Sequence, residues 1–194
     1  LVIRRQRQMC IRDSALADGF EIPTTMKVSL GAAYLTESDW LLSVDVLYND
    51  LENTPYWFDQ RCAVQAGTAP DGRPIYDCGG GNPEAIVIDS TDQGSGLLYA
   101  FAVSKDWDTS FGAFDMFASL TLADVEDIGY GTSSTATSNY SDFAAFDRQN
   151  PRAGTSNYET ETAVKFRLNW SKEFFTGYET KVSLFATGRT GQPY

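Results

Sequence analysis

Six stretches of the chain alternate apolar and polar side chains with a period of two. In the clearest of them, from Thr162 to Trp170, every second side chain is apolar, while Lys165 and Arg167 stand between them. This pattern predicts β-strands that each have one apolar face and one mixed or polar face. The predicted strands cover residues 26–34, 40–48, 97–104, 114–122, 162–170 and 181–187.

The segments that connect these strands alternate between short and long. Residues 35–39, 105–110 and 173–179 form the short connections, and residues 49–95 and 124–161 form the long ones. Long structureless loops are uncommon in compact soluble domains. Outer-membrane barrels, in contrast, have short turns on one side and long loops on the other. Packing against a second sheet is nevertheless the commoner use of an apolar strand face, so a β-sandwich remains an alternative.

Three of the four tryptophans fall beside the short connections. Trp40, Trp107 and Trp170 stand near strand ends, and only Trp57 lies in a long connection. Indole is enriched where a membrane meets water, because its ring is apolar and its N–H still seeks a partner. The predicted fold is therefore all-β, an antiparallel up-and-down transmembrane β-barrel segment with long outer loops and short periplasmic turns. About six strands cannot close a wide barrel, so we expect an incomplete one.

Composition excludes several classes of function. The net charge is −11 and there is no histidine. A nucleic-acid interface requires clustered Lys and Arg, so none is expected. The three cysteines show no CxxC spacing, which leaves no plausible ligand set for zinc. We expect no cofactor, no metal site and no enzymatic activity. No stretch of about 18 apolar residues predicts a transmembrane helix.

The first fourteen residues, "LVIRRQRQMCIRDS", differ from the rest of the chain. They carry four arginines and one acid in an otherwise acidic protein. The run resembles translated sequencing-adapter text, and a native basic linker is the alternative. We therefore expect residues 1–14 to be non-native and residues 15–194 to form the partial barrel domain.

The C-terminal stretch "ETETAVKFRLNWSKEFFTGYETKVSLFATGRTGQPY" and the earlier "LLSVDVLYNDLENTPYWFDQ" resemble the barrel region of TonB-dependent outer-membrane receptors, in particular the Oar-like group. The resemblance implies a barrel of about 22 strands in the outer membrane, with an N-terminal plug domain in its lumen. It also implies that an inner-membrane energy-transducing complex drives uptake of a small ligand. No plug is present in the sequence, which predicts a fragment. The alternative is a secreted or cell-surface β-sandwich that binds carbohydrate.

Two sets of residues are candidates for ligand contact. The first lies in a predicted outer loop and consists of Tyr56, Trp57, Phe58 and Arg61. These side chains would either stack on a ligand or hold the loop together. The second set would face the barrel lumen and consists of Asp45, Lys165, Arg167 and Arg189. Their charges would either meet the plug and the ligand or pair with one another across strands.

A disulfide is predicted between Cys62 and Cys78. Both lie in the first long connection, which the predicted topology places outside the cell, where thiols oxidise. Between them, "APDG" is a turn signal in which Pro70 suits the first corner and Gly72 a positive φ. Such a turn would bring the two cysteines together.

Overall fold

The computed structural model describes residues 14–79, 85–129, 131–142 and 145–193. The basic segment that we expected to be non-native lies outside these residues, except for Ser14. The chain folds into two compact units. The sheet unit comprises Thr25–Asp50, Gly94–Asp127 and the chain from Gly154 onward. The insert unit comprises Leu51–Gln93, Ile128–Ala153 and the chain up to Thr24.

Among the described residues, the secondary structure consists of twelve β-strands and one short α-helix. No helix in this part of the chain is long and apolar enough to cross a membrane. The elements are β1 (Ser14–Leu16), β2 (Thr24–Leu35), β3 (Leu41–Glu52), β4 (Thr54–Asp59), β5 (Val64–Thr68), β6 (Pro74–Asp77), β7 (Ile86–Thr91), β8 (Ser95–Thr109), β9 (Gly112–Asp127), α1 (Ala136–Ser141), β10 (Gly154–Thr155), β11 (Thr162–Phe175) and β12 (Tyr178–Arg189). The all-β prediction is confirmed.

The main sheet consists of the long strands in the order β2, β3, β8, β9, β11 and β12, and the short β10 pairs with β9. The pairs from β3 to β12 along this order are antiparallel. Each long strand therefore lies beside the long strands that precede and follow it in the chain. Sequential antiparallel pairing of the six predicted strands is confirmed, and β8 and β9 extend beyond their predicted ends.

Three short turns, at residues 36–40, 110–111 and 176–177, connect neighbouring strands of the main sheet. In the first, the Thr36 N–H donates to the Trp40 carbonyl oxygen at 2.9 Å. In the last, Gly177 adopts a positive φ of 85°, which favours glycine. Because the strands alternate in direction, all three turns lie at one end of the main sheet, which we call the turn end. The longer segments leave from the opposite end, which we call the loop end.

The strand register fixes which side chains of the main sheet share a face. Cross-strand partners point to the same side, and successive side chains along a strand point to opposite sides. The register places the predicted apolar row on one surface, with Val44, Phe101, Leu120, Phe166 and Leu184 together. The predicted face assignment is confirmed. We call this surface the apolar face and the opposite surface the polar face.

The long connections contain regular structure, so our expectation of structureless loops was wrong. In the insert unit, β7 pairs in parallel with β1 and antiparallel with β4. Strands β5 and β6 form a separate antiparallel hairpin. Each of these strands has six residues or fewer, too few for a period of two to stand out among glycines and acids.

The β5–β6 hairpin and a disulfide organise the middle of the insert unit. The Ala69 N–H donates to the Arg73 carbonyl oxygen at 2.8 Å, and Gly72 has a φ of 88°. These observations confirm the predicted turn at "APDG". Cys62 and Cys78, which flank the hairpin, form a disulfide with their Cα atoms 4.0 Å apart. The predicted pairing is therefore also confirmed.

Buried apolar side chains are concentrated in the insert unit. The buried apolar residues among those described are Cys62, Ile86, Val87 and Ile128, all of which belong to this unit. Ile86 and Val87 lie on β7, the central strand of the three-stranded sheet. The main sheet contributes none of them, and all twelve residues of β2 and of β12 are exposed.

Candidate functional site: the apolar face and its aromatic rim

Large apolar side chains cover the apolar face of the main sheet and remain exposed. Phe101 is 42% exposed, Val164 46% and Leu184 57%. Isolated apolar residues on a surface are ordinary, but a contiguous apolar area marks a site of interaction. The apolar face is therefore the first candidate for function.

Charged side chains on the described apolar face stand near its two ends. The register puts Lys105 beside Met116 and Lys172 beside Thr180, both toward the turn end. The acidic residues of this face lie toward the loop end and are Asp50, Glu52, Asp124 and Glu126. Between the two groups, the apolar face of β9 runs without a charge from Phe114 to Leu122. This interval is about 30 Å of extended strand, the length of a strand that crosses a bilayer at a tilt.

Rings gather at the turn end of the apolar face, and we call them the aromatic rim. Its members are Trp40, Trp107, Phe111, Phe114, Trp170 and Phe174. Trp107 and Phe114 stack with their centroids 5.3 Å apart, and Trp170 meets Phe174 edge to face at 6.1 Å. The Trp170 Nε1–H donates to the Phe111 carbonyl oxygen at 3.1 Å. The predicted position of three tryptophans beside the short turns is confirmed.

Gly112 allows Trp170 to reach this position. Its φ is 135°, a region that side-chain-bearing residues rarely adopt. A Cβ atom at Gly112 would lie only 2.6 Å from Trp170 Nε1. Any larger residue at the start of β9 would therefore clash with the Trp170 indole and, more closely still, with the Ser171 carbonyl oxygen.

The four charged residues predicted to face a lumen lie together on the polar face. The register places Asp45 opposite Ala100, Lys165 opposite Ser119 and Arg189 opposite Ala163, on strands whose other faces are apolar. Arg167 pairs with Asp115 at 2.8 Å. Cross-strand pairing, the structural alternative, therefore holds for Arg167. A role in a lumen stays a prediction for all four.

The aromatic triplet of the insert unit does not form one continuous platform. Tyr56, Trp57 and Phe58 are successive residues of β4, so Trp57 points to the side opposite its neighbours. Tyr56 and Phe58 have their ring centroids 5.9 Å apart. The Tyr56 hydroxyl donates to Asp89 at 3.4 Å, and burial together with the charge of Asp89 raises the pKa of Tyr56. Any ligand that stacked on this strand would meet at most two of the three rings.

Arg61, the fourth predicted ligand residue, is engaged in a buried ion pair. Its guanidinium contacts Asp59 at 2.7 Å, and the Asp59 side chain is only 3% exposed. The Arg61 and Ala85 backbone N–H groups also donate to the Asp59 carboxylate. Burial alone raises the pKa of Asp59, but these hydrogen bonds outweigh it and leave the pKa below its ordinary value. A structural role for Arg61 is therefore evident.

The residues that connect Leu51–Gln93 with Ile128–Ala153 inside the insert unit were not predicted. Gln149 accepts from the Asp59 N–H at 3.1 Å and donates to the Asp59 carbonyl oxygen at 3.2 Å. The Tyr76 hydroxyl donates to Asp147 at 2.9 Å and accepts from Asn150. These partners are 71 to 90 positions apart in the chain, and no local pattern signals such contacts.

Among the described residues, no group of three or more His, Cys, Asp or Glu is arranged to hold a metal ion. No protein-family model, no curated protein and no solved structure matches the chain.

Proposed function

We propose that the main sheet is part of the wall of an outer-membrane β-barrel, in a receptor of the TonB-dependent type. The observation that carries this proposal is the apolar face, on which a band without charges stands exposed between an aromatic rim and an acidic end. A strand that crosses a bilayer needs such a band on one side and tolerates charges on the other. The polar face, with Asp45, Lys165, Arg167 and Arg189, would then line the lumen.

The alternative occupant of the apolar face is a second β-sheet. The composition of the turn end favours lipid over a sheet. Lys105 and Lys172 lie on this face beside the rings, next to the charge-free band. Amphipathic rings and lysines together are typical of a membrane–water boundary. Because β2 and β12 each have one open edge, a closed wall would also require further strands.

The proposal is tested by the depth of the tryptophans in a membrane. The Trp57→Phe variant removes the indole of the insert unit and leaves the three indoles of the rim. We expect lipids brominated near the headgroup to quench the fluorescence of this variant in vesicles more strongly than lipids brominated near the chain ends. The main sheet, followed by the fluorescence of its rim tryptophans, should also unfold cooperatively only when detergent or lipid is present.

A control separates the rim from the insert unit. A variant that keeps Trp57 and replaces Trp40, Trp107 and Trp170 with Phe should show little quenching by either lipid. A monomer that folds cooperatively in water, with its rim tryptophans shielded from brominated lipid, would contradict the proposal and favour the β-sandwich.

A further inference from the structure

We propose that the turn end of the apolar face binds the phosphate groups of anionic phospholipids through Lys105 and Lys172. This inference rests on the membrane function proposed above. Its starting point is the distribution of charge on the described apolar face, where these two lysines are the cations and the remaining charges are acids at the loop end. The face is thus positive at one end and negative at the other, although the chain has a net charge of −11.

Rings hold each lysine in place. The Lys105 ammonium lies 5.1 Å from the centre of the Trp40 ring. The Lys172 ammonium lies 5.5 Å from Phe111 and 5.7 Å from Phe174, and it donates to the Ser110 carbonyl oxygen at 3.1 Å. A cation is attracted to the face of an aromatic ring, which orients it without neutralising its charge. Both lysines are half-buried, so part of their flexibility is already lost before a ligand arrives.

In the described part of the chain, no acid lies within ion-pair distance of Lys105 or Lys172. On the polar face, in contrast, Arg167 pairs with Asp115 and Lys181 with Glu179. A lysine ammonium carries three N–H donors, and Lys172 uses one of them on Ser110. Both lysines therefore retain charge and donors for an external anion.

The position of the lysines favours a lipid as the source of this anion. They stand level with the indoles of the aromatic rim, and indole settles at the depth of the headgroups. A phosphate at that depth is attached to acyl chains, which the adjoining apolar band would cover. The nearby Asp106 and Asp108 belong to the polar face and so point away from that lipid. An anionic headgroup fits better than a zwitterionic one, whose own ammonium competes with the lysine for the phosphate.

The test compares incorporation of the full 194-residue chain into vesicles of phosphatidylcholine alone and of phosphatidylcholine mixed with phosphatidylglycerol. We expect tighter association with the anionic vesicles, even though the net charge of the chain would oppose it. Lys105→Gln and Lys172→Gln should each reduce this preference by about fivefold. Lys27 lies near the loop end of β2 and alternates with the apolar Met26 and Val28, which places it on the polar face. Lys27→Gln removes the same charge and should leave the preference unchanged.

Two further measurements identify the ligand and show whether the glutamine variants are misfolded. Lys105→Arg and Lys172→Arg should retain the preference, so that loss in the glutamine variants reports on charge. Inorganic phosphate should not remove the preference when ionic strength is matched with chloride. If it does, free phosphate is the ligand and the lipid site is refuted. Equal incorporation into both vesicles contradicts the phosphate site alone, whereas incorporation into neither contradicts the membrane proposal and the site with it.

Discussion

The two units of the chain differ in how far they bury their apolar side chains. The insert unit contains the buried apolar residues, including Ile86 at 2% exposure, and closes its hairpin with the Cys62–Cys78 disulfide. The main sheet exposes its apolar side chains on a single layer of strands, with Leu184 57% exposed. A β-sheet that is stable in water needs one face covered, because apolar burial supplies most of the favourable free energy of folding.

The two units therefore depend on different surroundings. Polar side chains of the insert unit pair with one another. Asp59 forms an ion pair with Arg61, and the Tyr76 hydroxyl donates a hydrogen bond to Asp147. Among the described residues, none covers the exposed side chains of the apolar face, so we expect this face to need an apolar partner. We therefore expect perturbations of the apolar surroundings to affect the main sheet, and perturbations of covalent or polar links to affect the insert unit.

The largest expected effect tests the dependence of the main sheet on lipid. Val44→Arg places a charge in the middle of the apolar band. In a refolded complete barrel that contains these strands, it should lower the free energy of unfolding by about 2 to 4 kcal/mol. Leu168→Arg should act similarly. Urea titration followed by the fluorescence of the rim tryptophans measures the change.

Ser43→Arg is the matched control, because Ser43 is the neighbour of Val44 and points to the polar face. It should be close to neutral. Equal destabilisation by arginine at positions 43 and 44 would show that the two faces do not differ in environment.

Most of the main sheet was predictable because its signal is local. Alternation along each strand, repeated in six strands, identified both the strands and the apolar face, and the placement of the tryptophans identified the turn end. The ends of the strands were harder to predict from the sequence. Residues such as Asp124 and Glu126 break the alternation of hydrophobicity, yet they continue the hydrogen-bond ladder of β9, which depends on the backbone and not on side-chain polarity.

The second prediction concerns the covalent link of the insert unit. Replacing both Cys62 and Cys78 with Ser removes the constraint on the unfolded chain between them and should destabilise this unit by about 3 kcal/mol. The β5–β6 hairpin should then become sensitive to protease. Limited proteolysis with mass spectrometry measures the change, and the main sheet in lipid should keep its protection. Cleavage at equal rates with and without the disulfide would contradict the prediction.

Most of the fold of the insert unit could not be predicted from the sequence. Only the disulfide and the turn at Pro70 and Gly72 had a local signal. The contacts that hold the unit together, such as Gln149 with Asp59, join segments that are 90 residues apart. The sequence also did not show how the rings of β4 are oriented. It suggested that Tyr56, Trp57 and Phe58 could contact one ligand together, but successive side chains of a strand point to opposite sides.

The third prediction addresses these long-range contacts. Gln149→Ala leaves the buried N–H of Asp59 without its partner and removes one of two donors to the Asp59 carbonyl oxygen, which keeps the Cys62 N–H. The loss of the N–H partner should cost about 1 to 3 kcal/mol of stability. Hydrogen exchange of the β4 amides measures the loss. Gln65→Ala is the matched control, because Gln65 is exposed and bonds only to nearby Gly67 and Thr68. Similar exchange in both variants would show that Gln149 does not link the two segments.

The smallest expected effect is the response of the insert unit to acid. The pKa of Asp59 lies below its ordinary value in the folded chain, because hydrogen bonds from Arg61 and Ala85 outweigh the effect of burial. The resulting stabilisation is therefore fully present above the unfolded pKa of about 3.9 and is lost as pH falls through the lower folded pKa. We expect β4 exchange to show a loss of stability over this acidic range.

The Arg61→Gln variant isolates the contribution of Asp59 from that of the other carboxylates. Without the guanidinium, the pKa of Asp59 should rise toward or above its ordinary value, so the stability of the variant should fall less on acidification than that of the original chain. Arg73→Gln is the matched control, because its partner Asp71 is exposed and the pair is screened by water. If both variants follow the same pH dependence as the original chain, the buried ion pair does not stabilise the insert unit.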